Sequence, residues 1–232
     1  MKIASWNVNS LRVRMPHLAA WLAHSPVDVL GIQETKLQDE LFPFAELETA
    51  GYRAVHNGQK TYNGVALLSR LPMSDVSRDI PGFDDEQKRV IAATIGDVRV
   101  VNVYVVNGQA LGSEKYAYKL RFLAALRDYL KAELERHPKL ALLGDFNIAP
   151  GITDTHDPAI WEGGILCSDA ERAGLQALLA LGLQDSYQIT QQPPGRFTWW
   201  DYRQAAFRRN MGLRIDHVLV STALAAQCTG WN

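Results

Sequence analysis

The sequence predicts an α/β fold in which mixed β-sheets are covered by helices. Short runs of apolar and β-branched residues alternate along the chain with longer segments of helical periodicity. The turn Gly96-Asp97 separates two of these runs by only two residues, which indicates an antiparallel hairpin. The long helical segments are typical of crossover connections, so parallel and antiparallel strands are expected together.

Strands are predicted where short segments are rich in apolar and β-branched residues and are bounded by turn formers. In chain order the predicted strands are residues 2–6, 27–33, 52–56, 64–69, 90–95, 98–105, 140–144 and 214–221.

Helices are predicted from apolar residues that recur at intervals of three and four. Pro16 suits the first turn of one helix, which carries Leu18, Trp21 and Leu22. A second helix is predicted around Leu123, Leu126, Leu130 and Leu134. Ser168 and Glu171 have the spacing of a capping box, so a third helix is expected to begin there and to close at Gly182.

Composition indicates an ordinary globular chain. At 232 residues, with 47% hydrophobic and 21% charged residues, it is long enough for one buried core, and we expect a single domain over residues 1–232. No apolar run approaches the length of a membrane span, and the N-terminus lacks a secretory signal, so we expect a cytoplasmic protein without membrane contact. We expect a monomer, because no helix has a surplus apolar face. With 24 basic and 25 acidic residues, a polyanionic partner requires a local cationic patch.

Oxygen-bearing side chains follow four of the apolar runs: Asn7 and Asn9, Glu34, Asp145 and Asn147, and Asp216. Residues two apart on a strand share a face, so each of the two pairs can converge if extended geometry persists there. Carboxylate and amide oxygens suit a hard divalent cation. Taken singly, an acid at a strand end is more often a turn former or a helix cap.

Tyr104 lies near the end of the predicted strand 98–105, just before Asn107-Gly108. A tyrosine on a strand is usually packing with a solvated hydroxyl group. Beside a divalent cation and a phosphate, however, a phenol can donate a hydrogen bond or be driven toward phenolate. Tyr104 is therefore also a candidate partner of a leaving group.

The Arg-aromatic segment, residues 196–214, differs from the rest of the chain. Five arginines and one aspartate give it a formal charge of +4, and five aromatic residues are interleaved with them. Arginines bind phosphates and aromatic rings stack on bases, so the segment is a candidate nucleic-acid surface. The alternative is a loop whose aromatic rings pack inward and whose arginines are solvated.

Several motifs together resemble the exonuclease III family of apurinic/apyrimidinic endonucleases, within the wider deoxyribonuclease I-like phosphodiesterase fold. They are Trp6-Asn7-Val8-Asn9, Gln33-Glu34-Thr35-Lys36, Gly144-Asp145-Phe146-Asn147, Phe197-Thr198-Trp199-Trp200-Asp201-Tyr202-Arg203 and Arg214-Ile215-Asp216. The resemblance implies a four-layer α/β sandwich of two mixed sheets flanked by helices. It also implies Mg²⁺ dependence, with Mn²⁺ as an alternative, and action on double-stranded DNA with abasic sites or blocked 3′ ends.

The implied activities are cleavage 5′ to abasic sites, 3′-phosphodiesterase and 3′-to-5′ exonuclease activity. By resemblance, Glu34 is the main metal ligand with Asn7, and Tyr104 lies near the leaving oxygen. Asp145 and Asn147, also possible metal ligands, place the attacking water and the phosphate. Asp216 orients a catalytic histidine, and Trp199 and Trp200 flank the pocket for the baseless sugar. The substrate-binding residues we expect are Asn9, Lys36, Asn107, Trp199, Trp200, Arg203 and Arg214.

The chain departs from the family at its C-terminus. Family members end with a strand announced by Ser-Asp-His, which carries that histidine, and this sequence has no such triplet. His217 is a poor substitute, because adjacent strand residues face opposite ways. Loss of such a group typically costs about 10²- to 10⁴-fold in rate. We therefore expect a C-terminally incomplete chain of impaired activity, without its last strand. Two alternatives stay open: a naturally short protein and a non-catalytic DNA-damage binder. The number of metal ions, one or two, and the balance of endonuclease and exonuclease activity also stay open.

Overall fold

The computed structural model describes residues 1–231 and has an α/β fold with mixed sheets, as predicted. Its strands are β1 (Ile3–Asn7), β2 (Val29–Gln33), β3 (Arg53–Asn57), β4 (Val65–Ser69), β5 (Met73–Arg78), β6 (Val90–Ile95), β7 (Val98–Tyr104), β8 (Leu140–Asp145), β9 (Leu183–Asp185), β10 (Trp199–Trp200), β11 (Gly212–Leu213) and β12 (Asp216–Ser221). Its α-helices are α1 (Leu11–His24), α2 (Phe44–Thr49), α3 (Glu114–Arg136), α4 (Pro158–Trp161), α5 (Asp169–Leu179), α6 (Ser186–Ile189) and α7 (Thr222–Ala225). Single 3₁₀ turns lie at Asp39–Leu41 and Ile152–Asp154.

The first of two compact units comprises Met1–Tyr104 and Lys139–Asp145. One sheet of this unit has the order β1-β2-β4-β3, with a parallel first pair and antiparallel neighbours thereafter. Strands β5 to β8 lie side by side in chain order, and their last pair is parallel. The Gly96-Asp97 turn joins β6 to β7 as an antiparallel hairpin, which confirms that prediction.

Burial explains how these layers stack. Every residue of β2 and β4 is buried, because one face meets α1 and α2 and the other meets β6, β7 and β8. Gly31 in β2 permits close approach of the two sheets. A Cβ atom built there would lie 2.1 Å from Leu143 Cδ1, closer than carbon atoms can pack.

The second unit comprises Val105–Pro138 and the described residues from Phe146 onward. Helix α3 packs against α5, and β9 pairs with β12 in antiparallel orientation, as β10 does with β11. Ser168 and Glu171 form the capping box predicted for α5. Within residues 1–231 we find no helix that combines the length and the apolar character needed to span a membrane.

Some predicted boundaries are wrong. Helix α1 begins at Leu11, so Pro16 lies inside the helix and not in its first turn. The helix starts early because the Leu11 amide donates to Thr35 O at 3.0 Å and both Leu11 and Leu18 are buried on the same face. The strand predicted from residue 214 begins at Asp216. Strand β5 was missed because most of its residues are exposed and polar, and β9, β10 and β11 are too short to show a period.

Asn102 of β7 connects the two sheets of the first unit by hydrogen bonds. Its fully buried side chain donates from Nδ2 to Ile32 O at 2.9 Å and to Ala66 O at 2.8 Å, on β2 and β4. Its Oδ1 accepts from Gln33 Nε2 at 2.6 Å. Apolar side chains would pack in several registers, whereas these directed bonds fix one sheet against the other.

We predict that Asn102→Leu lowers the free energy of unfolding by about 2 to 4 kcal/mol, because Gln33 Nε2 and two carbonyl oxygens each lose a buried partner. Urea denaturation of the variant and the unaltered chain measures the loss. The control is Gln176→Leu, at an exposed amide side chain on α5, for which we expect a change below about 0.5 kcal/mol. Equal stability of Asn102→Leu and the unaltered chain would contradict this role.

Candidate active site

Both parallel strand pairs of the first unit end at residues that the sequence singled out. Asn7 ends β1 opposite Gln33, the last residue of β2, and Glu34 follows directly. Tyr104 ends β7 opposite Asp145, the last residue of β8. Since parallel strands present their carboxyl ends at one sheet edge, each pair gathers its polar side chains there.

Four of the predicted site residues meet directly. Asn7 Nδ2 donates to Glu34 Oε1 at 2.8 Å and to Asp145 Oδ2 at 2.9 Å. The Tyr104 hydroxyl group also donates to Glu34 Oε1, at 2.9 Å. The acidic cluster, as we call Asn7, Glu34, Tyr104 and Asp145, therefore holds two carboxylates joined by one amide.

The surroundings fix the charge states within the acidic cluster. Burial acts to raise the pKa of Glu34, but hydrogen bonds from Asn7 and Lys36 and the charge of Lys36 outweigh it, so the pKa is lowered. Burial, followed by the charges of Glu34 and Asp145, raises the pKa of Tyr104 well above its ordinary value. Glu34 is thus ionised at neutral pH, and Tyr104 is a neutral hydrogen-bond donor to it. That a divalent cation and a phosphate drive Tyr104 toward phenolate stays a prediction.

The backbone after Glu34 is held by residues that sequence reasoning missed. Glu34 has a φ of 55°, in the left-handed region, where a residue with a side chain is strained. The next residue, Thr35, is fully buried, and its hydroxyl oxygen lies 2.8 Å from His56 Nε2. His56 Nδ1 lies 2.7 Å from Asp39 Oδ1. Nothing in the sequence indicates the contact between Thr35 and His56, because it joins residues near the ends of two different strands, β2 and β3.

Asn9 and Lys36 lie beside the acidic cluster, but Asn9 does not share a strand face with Asn7 as we expected. Asn9 has a φ of 43°, so extended geometry does not persist and strand alternation does not place Asn9 on the face of Asn7. Instead its N–H donates to Asn7 Oδ1 at 3.0 Å. Lys36 Nζ binds Glu34 Oε2 at 2.9 Å and donates to Asn9 Oδ1. Lys36 is therefore an ion-pair partner of Glu34 and not a freely solvated lysine.

The acidic cluster has the donor chemistry of a hard-cation site. Its ligating atoms would be carboxylate oxygens of Glu34 and Asp145, and Mg²⁺ in proteins is commonly bound by one or two carboxylates together with water and substrate phosphate. The expectation that Asn7 is a metal ligand does not fit this geometry, because its Nδ2 faces both carboxylates and its Oδ1 accepts from the Asn9 N–H. Within the described residues no group of three or more histidine, cysteine, aspartate or glutamate side chains gathers, so the cluster offers two carboxylates and would leave further positions to water and phosphate. The residues present fit Mg²⁺ or Mn²⁺.

Asn147 and Asn107 form a separate pair in the second unit. Asn107 Nδ2 donates to Asn147 Oδ1 at 3.0 Å, and Asn147 Nδ2 donates to Val105 O at 3.0 Å. Asn147 has a φ of 51°, so here too the extended geometry assumed for the Asp145 and Asn147 pair is not present. The turn, and not strand alternation, sets the direction of the Asn147 side chain.

The Arg-aromatic segment contains both packed and exposed rings. Trp199 packs against a buried cluster that includes Leu213 and Ile215, whereas Tyr202 is 79% and Phe207 is 71% exposed. Phe207 lies edge-on to Trp200, with ring centroids 5.0 Å apart. The inward-packing alternative thus holds for Trp199 but not for Tyr202 and Phe207.

The arginines of this segment also differ from one another. Arg203 is exposed and pairs with Asp201 at 2.7 Å, so its guanidinium group can reach a ligand in solvent. Arg214 is only 1% exposed. Its guanidinium group binds Asp154 and Asp185, each at 2.7 Å. The prediction that Arg214 contacts substrate does not fit this geometry, because its guanidinium group is buried and already binds two carboxylates.

Asp216 begins β12 and is partly exposed, and its backbone N–H donates to Thr198 Oγ1 at 3.0 Å. The following residue, His217, is buried as strand alternation predicts. Its Nδ1 accepts from Arg214 at 3.1 Å and its Nε2 donates to Ile148 O at 2.9 Å. Both ring nitrogens are engaged away from Asp216, so His217 does not replace the family's histidine.

Comparison with known proteins shows the family of this chain. Residues 4–232 match the Endonuclease/Exonuclease/phosphatase family. The chain belongs to this family. Exodeoxyribonuclease III of Haemophilus influenzae is 38% identical over 242 residues, which cover 98% of this chain and 90% of that protein. The resemblance to the exonuclease III family is therefore confirmed.

Solved structures of the family have the same fold. A Neisseria 3′ phosphatase, NExo, solved with a product DNA hairpin, is 52% identical with a TM-score of 0.96, covering 97% of this chain and 88% of its own. An AP endonuclease from Archaeoglobus fulgidus is 35% identical with a TM-score of 0.93, at the same coverage of 97% and 88%. These relatives support a DNA repair nuclease as the general class.

We predict that His217 makes stability depend on pH. Burial and then the charge of Arg214 lower its pKa from the ordinary 6.5 to about 4. The unfolded chain binds this proton more readily, so the stabilisation is complete above pH 6.5 and is lost as the pH falls toward 4, by about 3 kcal/mol in all. His217→Gln should flatten the slope of unfolding free energy against pH in that window.

The control for this prediction is His17→Gln, at an exposed position of α1, which should keep the slope of the unaltered chain. Urea denaturation at half-unit pH steps measures all three proteins. An unchanged slope in His217→Gln would show that His217 is not held neutral by its buried contacts.

Proposed function

We propose that this chain is a Mg²⁺-assisted DNA repair phosphodiesterase, with Mn²⁺ as an alternative ion. Its substrates are double-stranded DNA with blocked 3′ ends or abasic sites. Its reactions are removal of 3′ blocking groups, 3′-to-5′ exonucleolytic hydrolysis and cleavage 5′ to an abasic site. The acidic cluster is the observation that carries this proposal, because it joins two carboxylates and a neutral phenol at adjoining strand ends.

Each residue of the cluster has a role that follows from its contacts. Ionised Glu34 supplies negative oxygens for a divalent cation, and Lys36 keeps one of them oriented. Asn7 holds Glu34 and Asp145 at a fixed separation through its amide group. Asp145 accepts a proton from, or orients, the attacking water, and neutral Tyr104 donates a hydrogen bond to an anionic oxygen. A bound Mg²⁺ would polarise the phosphate and lower the pKa of water.

The relatives support the choice among reactions. The Neisseria relative is described as a 3′ phosphatase, and the Archaeoglobus relative as an AP endonuclease. The greater identity to the first favours 3′-end processing as the leading activity. The roles expected for Asn147 and Asp216, a cytoplasmic location, a single-domain monomer and impaired activity all stay predictions.

A second candidate function is non-catalytic binding of damaged DNA. The exposed aromatic rings Tyr202 and Phe207 beside exposed Arg203 favour it, since such a surface binds DNA whether or not hydrolysis follows. The two candidates differ in turnover and not in binding.

We predict that Glu34→Gln lowers the rate of 3′-phosphate release by about 10²- to 10⁴-fold, because a neutral amide binds Mg²⁺ far more weakly than a carboxylate. The assay uses a duplex with a 3′-phosphate at a nick, with Mg²⁺ and then with EDTA, which should abolish release. Glu40→Gln, at an exposed glutamate in the 3₁₀ turn, is the matched control and should keep the full rate. A Glu34→Gln variant as active as the control would remove Glu34 from the mechanism.

We predict that the chain acts on a 3′-phosphate duplex faster than on an abasic duplex of the same sequence. Gel assays with both duplexes and an unmodified 3′ end measure the three activities, and fluorescence anisotropy in Ca²⁺ measures affinity. Binding without turnover on any duplex in Mg²⁺ or Mn²⁺ would favour the non-catalytic binder. Faster incision of the abasic duplex would make endonuclease activity the leading one.

A further inference from the structure

Lys119 of α3 is fully buried together with Glu171 of α5, and their side chains form an ion pair. Removing two charges from water is costly, so a buried ion pair is weak grounds for stability by itself. The acceptors around the ammonium group indicate a different role.

The Lys119 ammonium group also binds the main chain of two loops. Its Nζ donates to Asn147 O at 2.7 Å and to Asn107 O at 3.2 Å. With the Glu171 carboxylate, these acceptors match the three N–H bonds of an ammonium group. One buried cation therefore ties the loop after β7 to the loop after β8.

The Glu171 carboxylate is itself fixed. Its Oε2 accepts from the Ser168 N–H at 3.0 Å and from the Ser168 hydroxyl group at 2.6 Å, and its Oε1 accepts from the Leu166 N–H at 3.1 Å. The bond from the Ser168 N–H is one half of the capping box of α5, and the other two bonds add to it. The N-terminus of α5 therefore fixes the position of the Glu171 carboxylate. The carboxylate in turn fixes the position of the Lys119 ammonium group.

The two tied loops carry side chains that depend on their backbone. Asn147, with its φ of 51°, occupies the left-handed region, which asparagine tolerates better than most non-glycine residues. This turn sets the direction of its side chain, so a shift of the backbone would redirect the amide group. Asn107 Nδ2 donates to Asn147 Oδ1, so the side chains meet only while both backbones keep their places.

We propose that Lys119, anchored by Glu171, is a positioning residue for the nuclease reaction. It holds the main chain at Asn107 and Asn147 so that the Asn147 amide is preset to bind a phosphate oxygen. This inference rests on the proposed function and adds to it a residue pair that touches neither DNA nor metal.

The test uses the double variant Lys119→Met/Glu171→Gln, which removes both charges and keeps an acceptor for the capping box. No charge is left unpaired, but Asn107 O and Asn147 O each lose a donor, so we expect the free energy of unfolding to fall. Urea denaturation first establishes a temperature at which the variant is fully folded, and kinetics are measured there. We expect kcat for 3′-phosphate release to fall about 10- to 100-fold, with KM changed less than about 3-fold. Lys131→Met, which removes an exposed charge elsewhere on α3, is the control and should leave kcat unchanged.

A double-mutant cycle separates positioning from a general structural role. Lys119→Met/Glu171→Gln and Asn147→Ala should together lower kcat little further than Asn147→Ala alone, if the pair acts through Asn147. Multiplicative losses would overturn the proposal, as would a double variant with full kcat.

A readout independent of turnover is the side-chain amide NMR signal of Asn147, assigned by its loss in Asn147→Ala. In Lys119→Met/Glu171→Gln it should shift toward the position of an exposed asparagine, while the signal of buried Asn102 stays unchanged. An unshifted Asn147 signal would overturn the positioning role. Absence of turnover by the unaltered chain would overturn the proposed function, and this NMR comparison would still decide the role of Lys119.

Discussion

The candidate site depends on how the two sheets of the first unit are fixed face to face, and the hydrogen bonds of Asn102 supply that constraint. Asn102 lies two residues before Tyr104 on β7, and its Oδ1 accepts from Gln33, the neighbour of Glu34. A bond that fixes Asn102 against β2 therefore also fixes Tyr104 near Glu34. The Tyr104 hydroxyl oxygen lies 2.9 Å from Glu34 Oε1. Hydrophobic burial brings the sheets together, whereas this polar connection selects one register.

Within that frame, electrostatics assigns different chemistry to neighbouring groups. Burial acts in the same direction on Glu34 and Tyr104, since it disfavours the charged form of each. The Asn7 amide and the Lys36 ammonium group reverse this effect for Glu34, whereas the nearby carboxylates reinforce it for Tyr104. The result is an ionised carboxylate beside a neutral hydrogen-bond donor, and these two groups would suit metal-assisted phosphodiester hydrolysis as proposed.

Buried and exposed cationic side chains have different roles in this protein, because buried Arg214 and Lys119 bind internal carboxylates whereas exposed Arg203 faces solvent. Arg203 and Arg214 lie in one cationic segment, yet only Arg203 faces solvent, because Arg214 is held by Asp154 and Asp185. Lys119 gave no signal in the sequence beyond an ordinary lysine in a helix, and its contacts with Glu171 and two backbone carbonyls follow from the packing of α3 against α5. Charge counted along a segment thus cannot separate DNA contacts from internal ion pairs.

The sequence by itself determined the α/β class, most strands, the family, and the grouping of Asn7, Glu34, Tyr104 and Asp145, because strand periodicity and short motifs are local properties. It could not determine the turns at Asn9 and Asn147, the engagement of His217, or the Thr35–His56 contact. Those features depend on left-handed backbone and on contacts between distant segments. Only tertiary packing decides them, since nothing in local spacing distinguishes a buried partner from an exposed one.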